Sequence, residues 1–163
     1  MDKNFQGEQI LKAFSKQLVR YKNPENILIA TRSFVLGFYE ALPKEKKIQP
    51  HSIIASRFTL AGEALLKGFV SCGAMVNICT FVLRELGFEV QLVHGESAES
   101  VDHAWLLVTD KNNKACEYDP TRPRLDVPET HTVKKIVSSW EDIRLDIEKD
   151  HKTLEFRQAS KSS

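Results

Sequence analysis

The sequence predicts an α+β domain, and two observations carry that reading. The amino-terminal third repeats apolar residues at three- and four-residue spacings, the period of helices lying on a core. After Gly68 one more helical run gives way to short stretches with the β-branched and aromatic content of strands.

Taken in order, Ile10, Leu11, Phe14 and Leu18 predict a helix over 6–20, closed by the Asn23-Pro24 turn signal. Ile27, Leu28, Phe34, Val35 and Phe38 predict a second over 25–42. Pro43 ends it, and the Lys44-Glu45-Lys46-Lys47 run reads as a solvated linker. A third helical segment is expected over 52–66, with Gly68 placed to end it. Residues 72–86 form a central helix stopped by Gly87. On a wheel, Met75, Cys79, Val82, Leu83 and Leu86 share the face of Cys72, while Asn77, Arg84 and Glu85 point away from the body. Strands are expected over 88–93, 103–109, 115–119 and 133–137, with a polar loop at 95–100 and a turn at Asp110-Lys111-Asn112-Asn113. Trp140, Ile143 and Ile147 suggest a last helix, and 158–163 should fray.

With 163 residues, 42% of them apolar and 28% charged, the chain fits one domain. Such a domain buries roughly 70% of its unfolded surface and needs neither disulfides nor structural metal. Its divisions are a helical part of about 1–67, a core of about 68–137 and a carboxy-terminal helix and tail of about 138–163. A formal charge of +1 with no basic stripe excludes nucleic acid as the expected partner. No apolar run approaches the roughly 20 residues that span a bilayer, so no membrane partner is expected. The start of the chain lacks the basic-then-apolar order of an export signal, which implies a cytoplasmic protein, leaderless export apart. Three cysteines without a C-x-x-C pair imply reduced thiols.

The chemistry concentrates after Gly68. Cys72 opens the central helix, where unpaired backbone N–H groups favour a thiolate, and Gly73 beside it would let a substrate backbone come close. A thiolate nucleophile works best beside an imidazole that a third group orients, and His103 and Asp119 are the candidates. With a hairpin turn centred on Lys111 the two stand opposite each other on one face. Asp102 is a rival orienter, but a strand points it away from its neighbour His103.

Phe69-Val70-Ser71-Cys72-Gly73-Ala74 opening a helix, Leu86-Gly87 ending it, His103-Ala104-Trp105, and Tyr118-Asp119-Pro120-Thr121 together resemble the transglutaminase-like superfamily, over residues 68–121. That resemblance implies a papain-like core in which a nucleophile helix packs on a small antiparallel sheet. It further implies Cys72 as nucleophile, His103 as general acid/base, Asp119 as its orienter, and acyl transfer on a protein or peptide substrate. Peptidase, deamidase and transglutaminase chemistries all stay open. The oxyanion donor named is the Cys72 backbone N–H, with Gly73 and Trp105 lining the site and Trp105 limiting water access. The chain lacks an EF-hand-like acidic loop, so calcium-dependent crosslinking is not expected, nor is any cofactor or metal.

Two other classes compete. One is an inactive peptide-binding member of the same superfamily. The other is a metal-binding domain using Cys72, Cys79, Cys116 and His103, whose spacings match no usual zinc site. Cys79 is expected in the core and Cys116 in packing. His51, His94, His131 and His151 read as structural, with His94 nearest the site, and Arg122 and Arg124 as solvated surface.

Overall fold

The computed structural model describes residues 2–46 and 53–162, with side chains over 2–46 and 56–153; His51 lies outside the described residues. Helix α1 spans Lys3–Lys16, starting earlier than its apolar pattern because Asp2 accepts the Asn4 N–H at 2.9 Å. Helix α2 spans Pro24–Ala41, capped by Asn23 with Pro24 in the first turn. The charged run forms a 3₁₀ turn at Lys44–Lys46.

The third helical segment is broken in two, α3 at Ile53–Phe58 and α4 at Ala61–Lys67. The cause lies elsewhere in the chain. Asn77 Nδ2 donates to the carbonyls of Arg57 and Thr59, each at 2.9 Å, and so satisfies groups that the end of α3 leaves open. The amide of Asn4 does the same for the start of α4, accepting from Gly62 N and Glu63 N.

Helix α5 spans Cys72–Glu85, capped by Ser71, and the positive φ of Gly68 and Gly87 lets the chain turn sharply after α4 and α5. The wheel assigns Asn77, Arg84 and Glu85 to an outward face, and the structure corrects this for Asn77. Helix α5 runs through the middle of the molecule, packed by α1, α2, α3, α4 and the sheet. Asn77 accepts the Trp140 indole N–H at 2.9 Å, and Arg84 donates to the carbonyls of Val90 and Ser138. Arg84 and Glu85 are both exposed, as the wheel predicts.

The strands β1 (Glu89–Glu96), β2 (His103–Thr109), β3 (Ala115–Tyr118) and β4 (Thr132–Val137) form one antiparallel sheet in the order β3-β2-β1-β4. Strand β1 runs beyond its expected end at residue 93 because β4 pairs with it as far as Glu96. Strand alternation divides the sheet. Val90, Leu92, Ala104, Leu106 and Val108 join the core with Leu11, Ile27, Leu28 and the buried side of α5. Val93, Gly95, His103 and Trp105 belong to the opposite face. A 3₁₀ turn at Trp140–Ile143 leads into α6, Arg144–Ser162, whose backbone stays helical through the stretch expected to fray. Among the described residues no helix is long and apolar enough to cross a membrane.

Candidate active site

Cys72 is the first residue of α5 and is half-buried. Among the described residues its own N–H donates to nothing, as the first-turn geometry of a helix dictates, so it remains available to an oxyanion. Gly73 has a packing role that the sequence reading did not include. A Cβ there would stand 2.9 Å from Arg57 Cα and 3.0 Å from Arg57 N, so its small size admits α3 against the start of α5. The cap of α5 is tied to the same helix, since the Ser56 and Ser71 hydroxyls are bonded.

His103 opens β2 and Asp119 follows β3, and the structure joins them, with His103 Nε2 2.8 Å from Asp119 Oδ2. The register differs from the expected one. Leu106 pairs with Tyr118 and Thr109 with Ala115, so the turn is centred on Asn112, one residue later than Lys111. Asp110 Oδ1 fixes this turn by accepting from Asn112 N and Lys114 N, and Asn113 takes the left-handed conformation at φ 63°. The ladder ends at Tyr118, and Asp119 N turns away to donate to Leu125 O at 2.9 Å. A shift of the centre by one whole residue preserves the face, so His103 and Asp119 meet diagonally.

The charges follow from this arrangement. Burial pushes the Asp119 carboxyl up, but hydrogen bonds from His103, Thr121 and His131 outweigh it and bring its pKa to about 2. Burial pushes His103 down, while hydrogen bonding to Asp119 and to Cys72 brings it up to about 9. Burial likewise raises the Cys72 thiol. The His103 imidazole and the Arg57 guanidinium more than offset that and hold it below its ordinary value. Imidazolium and carboxylate therefore stand together at neutral pH, and the cations beside Cys72 favour its thiolate. With Nε2 on Asp119, Nδ1 is the imidazole nitrogen left for sulfur.

Trp105 lies fully buried beside His103, ring centroids 5.8 Å apart, and donates to Glu117 Oε1. Cys79 is fully buried and its thiol is pushed up to about 12 by burial, as a core residue requires. Cys116 is half-buried on β3, and all three thiols are free. Arg122 stands 3.6 Å from Asp126 with both side chains substantially exposed, and Arg124 is exposed.

Two histidines that read as structural are bonded to carboxylates. His94 is buried in β1, with Nε2 2.8 Å from Asp150 Oδ2 and Nδ1 3.6 Å from Asp102 Oδ1. Asp102 pairs with Arg57 at 2.6 Å, neither side chain exposed, and the Arg57 guanidinium lies over the Trp140 ring. His131 reaches the site itself. Its Nε2 is 3.0 Å from Asp119 Oδ2, and its ring meets His103 edge-on with centroids 5.0 Å apart. The sequence offered little warning of His131, which becomes a neighbour only when β4 pairs with the far side of β1. Thr121, whose N–H and hydroxyl both bond Asp119 Oδ1, is foreshadowed by the Asp-Pro-Thr turn signal.

His103, Asp119 and His131 present ligand atoms within 4.8 Å of one another, so a cation site there has to be weighed. Donors around a tetrahedral zinc, with bonds near 2.0 Å, stand about 3.3 Å apart. The spacings of 2.8 and 3.0 Å are instead those of N–H groups donating to a carboxylate. The zinc set of Cys72, Cys79, Cys116 and His103 does not assemble, because Cys79 is sealed in the core. A separate cavity of about 410 Å³, lined by Arg57, Asn77, Thr80, Phe81, Arg84 and Trp140 among others, includes none of Cys72, His103 and Asp119 in its walls.

Comparison with known proteins gives no match to any family, curated protein or solved structure. The fold class is α+β, with a four-stranded antiparallel sheet.

Proposed function

We propose that this protein is a cysteine-dependent acyl-transfer enzyme with a papain-like, transglutaminase-like core. The observation that carries the reading is the run Cys72, His103, Asp119, in which a thiol at a helix start meets an imidazole already bonded to a buried carboxylate. Thiolate Cys72 attacks an amide or ester carbonyl carbon, and the oxyanion forms beside the Cys72 N–H. The His103 imidazolium gives its proton to the leaving amine or alcohol as the C–N or C–O bond breaks, leaving a thioester on Cys72. Water or an amine then attacks the thioester, His103 takes its proton, and the acyl group leaves with the acceptor while the thiolate is restored. Asp119 keeps the imidazole aimed throughout.

Protein or peptide substrates suit this reading, since the chemistry acts on amide carbonyls. A reducing, cytoplasmic compartment suits it too, because the nucleophile must stay a free thiol. The test is labelling with an electrophilic probe and peptide mapping, paired with turnover of amide and thioester substrates by the wild type and Cys72→Ala. Modification confined to Cys72 with Cys72-dependent turnover supports the proposal. A folded protein that labels at Cys72 yet turns over none of a broad panel favours the inactive peptide-binding alternative.

A further inference from the structure

Asp119 is held by more groups than a three-residue relay needs. Its Oδ1 accepts from the N–H and hydroxyl of Thr121, and its Oδ2 accepts from His103 Nε2 at 2.8 Å and from His131 Nε2 at 3.0 Å. The aspartate is wholly buried, and the His131 side chain is 3% exposed.

His131 approaches from the opposite edge of the sheet to β3, one residue before β4, where its N–H donates to the Pro128 carbonyl at 3.0 Å. Its ring lies 5.0 Å from that of His103 at 83° and 5.0 Å from that of Trp105. A phenyl ring would fill this space as well. The imidazole carries a cost that phenyl would not, because its Nδ1 is buried without a partner. What imidazole supplies and phenyl cannot is the Nε2–H on Asp119.

We propose that His131 is a second positioning residue of the site, whose Nε2–H clamps Asp119 Oδ2 from the β4 side and so holds the carboxylate in the orientation that aims His103 at Cys72. Without this donor, the His103–Asp119 bond loses the brace opposite it. The inference rests on the acyl-transfer reading only for turnover. The clamp itself is read from the reactivity of Cys72, which needs no substrate.

The test compares wild type, His131→Phe and His131→Gln. Phenylalanine keeps the ring and removes the donor, and glutamine keeps an N–H at similar reach. The readout is the pH dependence of Cys72 alkylation by iodoacetamide. The charged groups bearing on that thiol are His103, Arg57 and Asp102, with Asp119 behind His103, and all are unchanged in both variants. His131→Phe should slow alkylation at pH 6.5 about tenfold and move its midpoint to higher pH, and His131→Gln should recover most of both. Long-range ¹⁵N spectra of the wild type should show the His131 proton on Nε2.

Equal profiles in wild type and His131→Phe overturn the clamp, as does an equal loss in both variants, which would make ring shape the cause. A wild-type His131 protonated on Nδ1 alone overturns it even where neither variant folds. Stoichiometric zinc in the purified protein, lost in His131→Phe, also overturns it. If the clamp behaves as expected while no substrate is turned over, the acyl-transfer reading fails and the clamp stands. If turnover depends on Cys72 and His131→Phe changes nothing, the clamp alone fails.

Discussion

Asp102 and His103 are adjacent in the chain and are committed to different partners, Asp102 to the Arg57 guanidinium at 2.6 Å and His103 to Asp119 at 2.8 Å. The first pair is fully buried, and it sets a positive charge near the Cys72 thiol.

Breaking that pair from one side leaves an uncompensated buried charge. Asp102→Asn should cost about 3–5 kcal/mol of stability, read from urea unfolding, and the double variant Arg57→Met, Asp102→Leu should recover most of the loss. Arg57→Met should also move the alkylation midpoint of Cys72 to higher pH, since the guanidinium favours the thiolate.

In the folded protein Cys72 should react with iodoacetamide well below about pH 8, where an ordinary thiol is mostly protonated. Cys79, pushed to about 12 by burial, should react only on unfolding, and Cys116 slowly. A mass-spectrometric time course at pH 6.5 checks this; Cys72 no faster than a free cysteine would count against an activated thiol.

Replacing the orienting carboxylate should separate aim from presence. Asp119→Asn keeps the size but no longer stabilises the imidazolium, so turnover on any substrate found should fall by about 10³-fold. His103→Asn should raise the pH at which Cys72 alkylates, through loss of the first of the groups that hold the thiolate.

Stability should peak near pH 6.5. Asp119, depressed to about 2, contributes stability that is present above its unfolded value near 3.8 and lost as pH falls through 2. His103, raised to about 9, contributes stability that is complete below its unfolded value near 6.5 and lost as pH rises through 9. His94 is depressed by burial, so its contribution declines as pH falls below 6.5. Urea midpoints across pH 3 to 10 check the shape, with Cys72→Ala as the background because the lowered thiol adds stability as pH rises toward 9; in that variant a stability that kept rising above pH 7 would contradict the assignment of His103.

Gly73→Ala should destabilise by about 1–3 kcal/mol, because the added methyl meets the Arg57 backbone and no flexible side chain can yield there. Thermal melts measure it.

Much of the site was legible because it is built from local signals. Cys72 at the start of its helix, Gly68 and Gly87 as stops, and the Asp-Pro-Thr turn are read within a few residues of the groups they place. The side chains that proved surprising are set by long-range packing. Asn77 looked like an outward residue because a helical wheel cannot know that Arg57, Thr59 and Trp140 converge on it. The same side chain broke the third helical segment, which apolar spacing had joined. Arg57 carries no signal in the sequence, and His94 and Asp102 read as secondary, because each is costly to bury alone and only their assembly makes the burial tolerable. The hairpin register was misread by one residue because Asn113, rather than a glycine, adopts the left-handed turn conformation.

The segment from Asp119 to His131 begins and ends on the same carboxylate, twelve positions apart in the chain and one hydrogen bond apart in space. Its middle is pinned by Leu125, buried in the core, while Pro123, Arg124, Glu129 and Thr130 face solvent. Lengthening a strap whose ends are already fastened costs little entropy, about 0.6 kcal/mol for each doubling. Insertions are therefore cheapest here, where added residues could extend the loop beside His103 while the fastening underneath stayed the same.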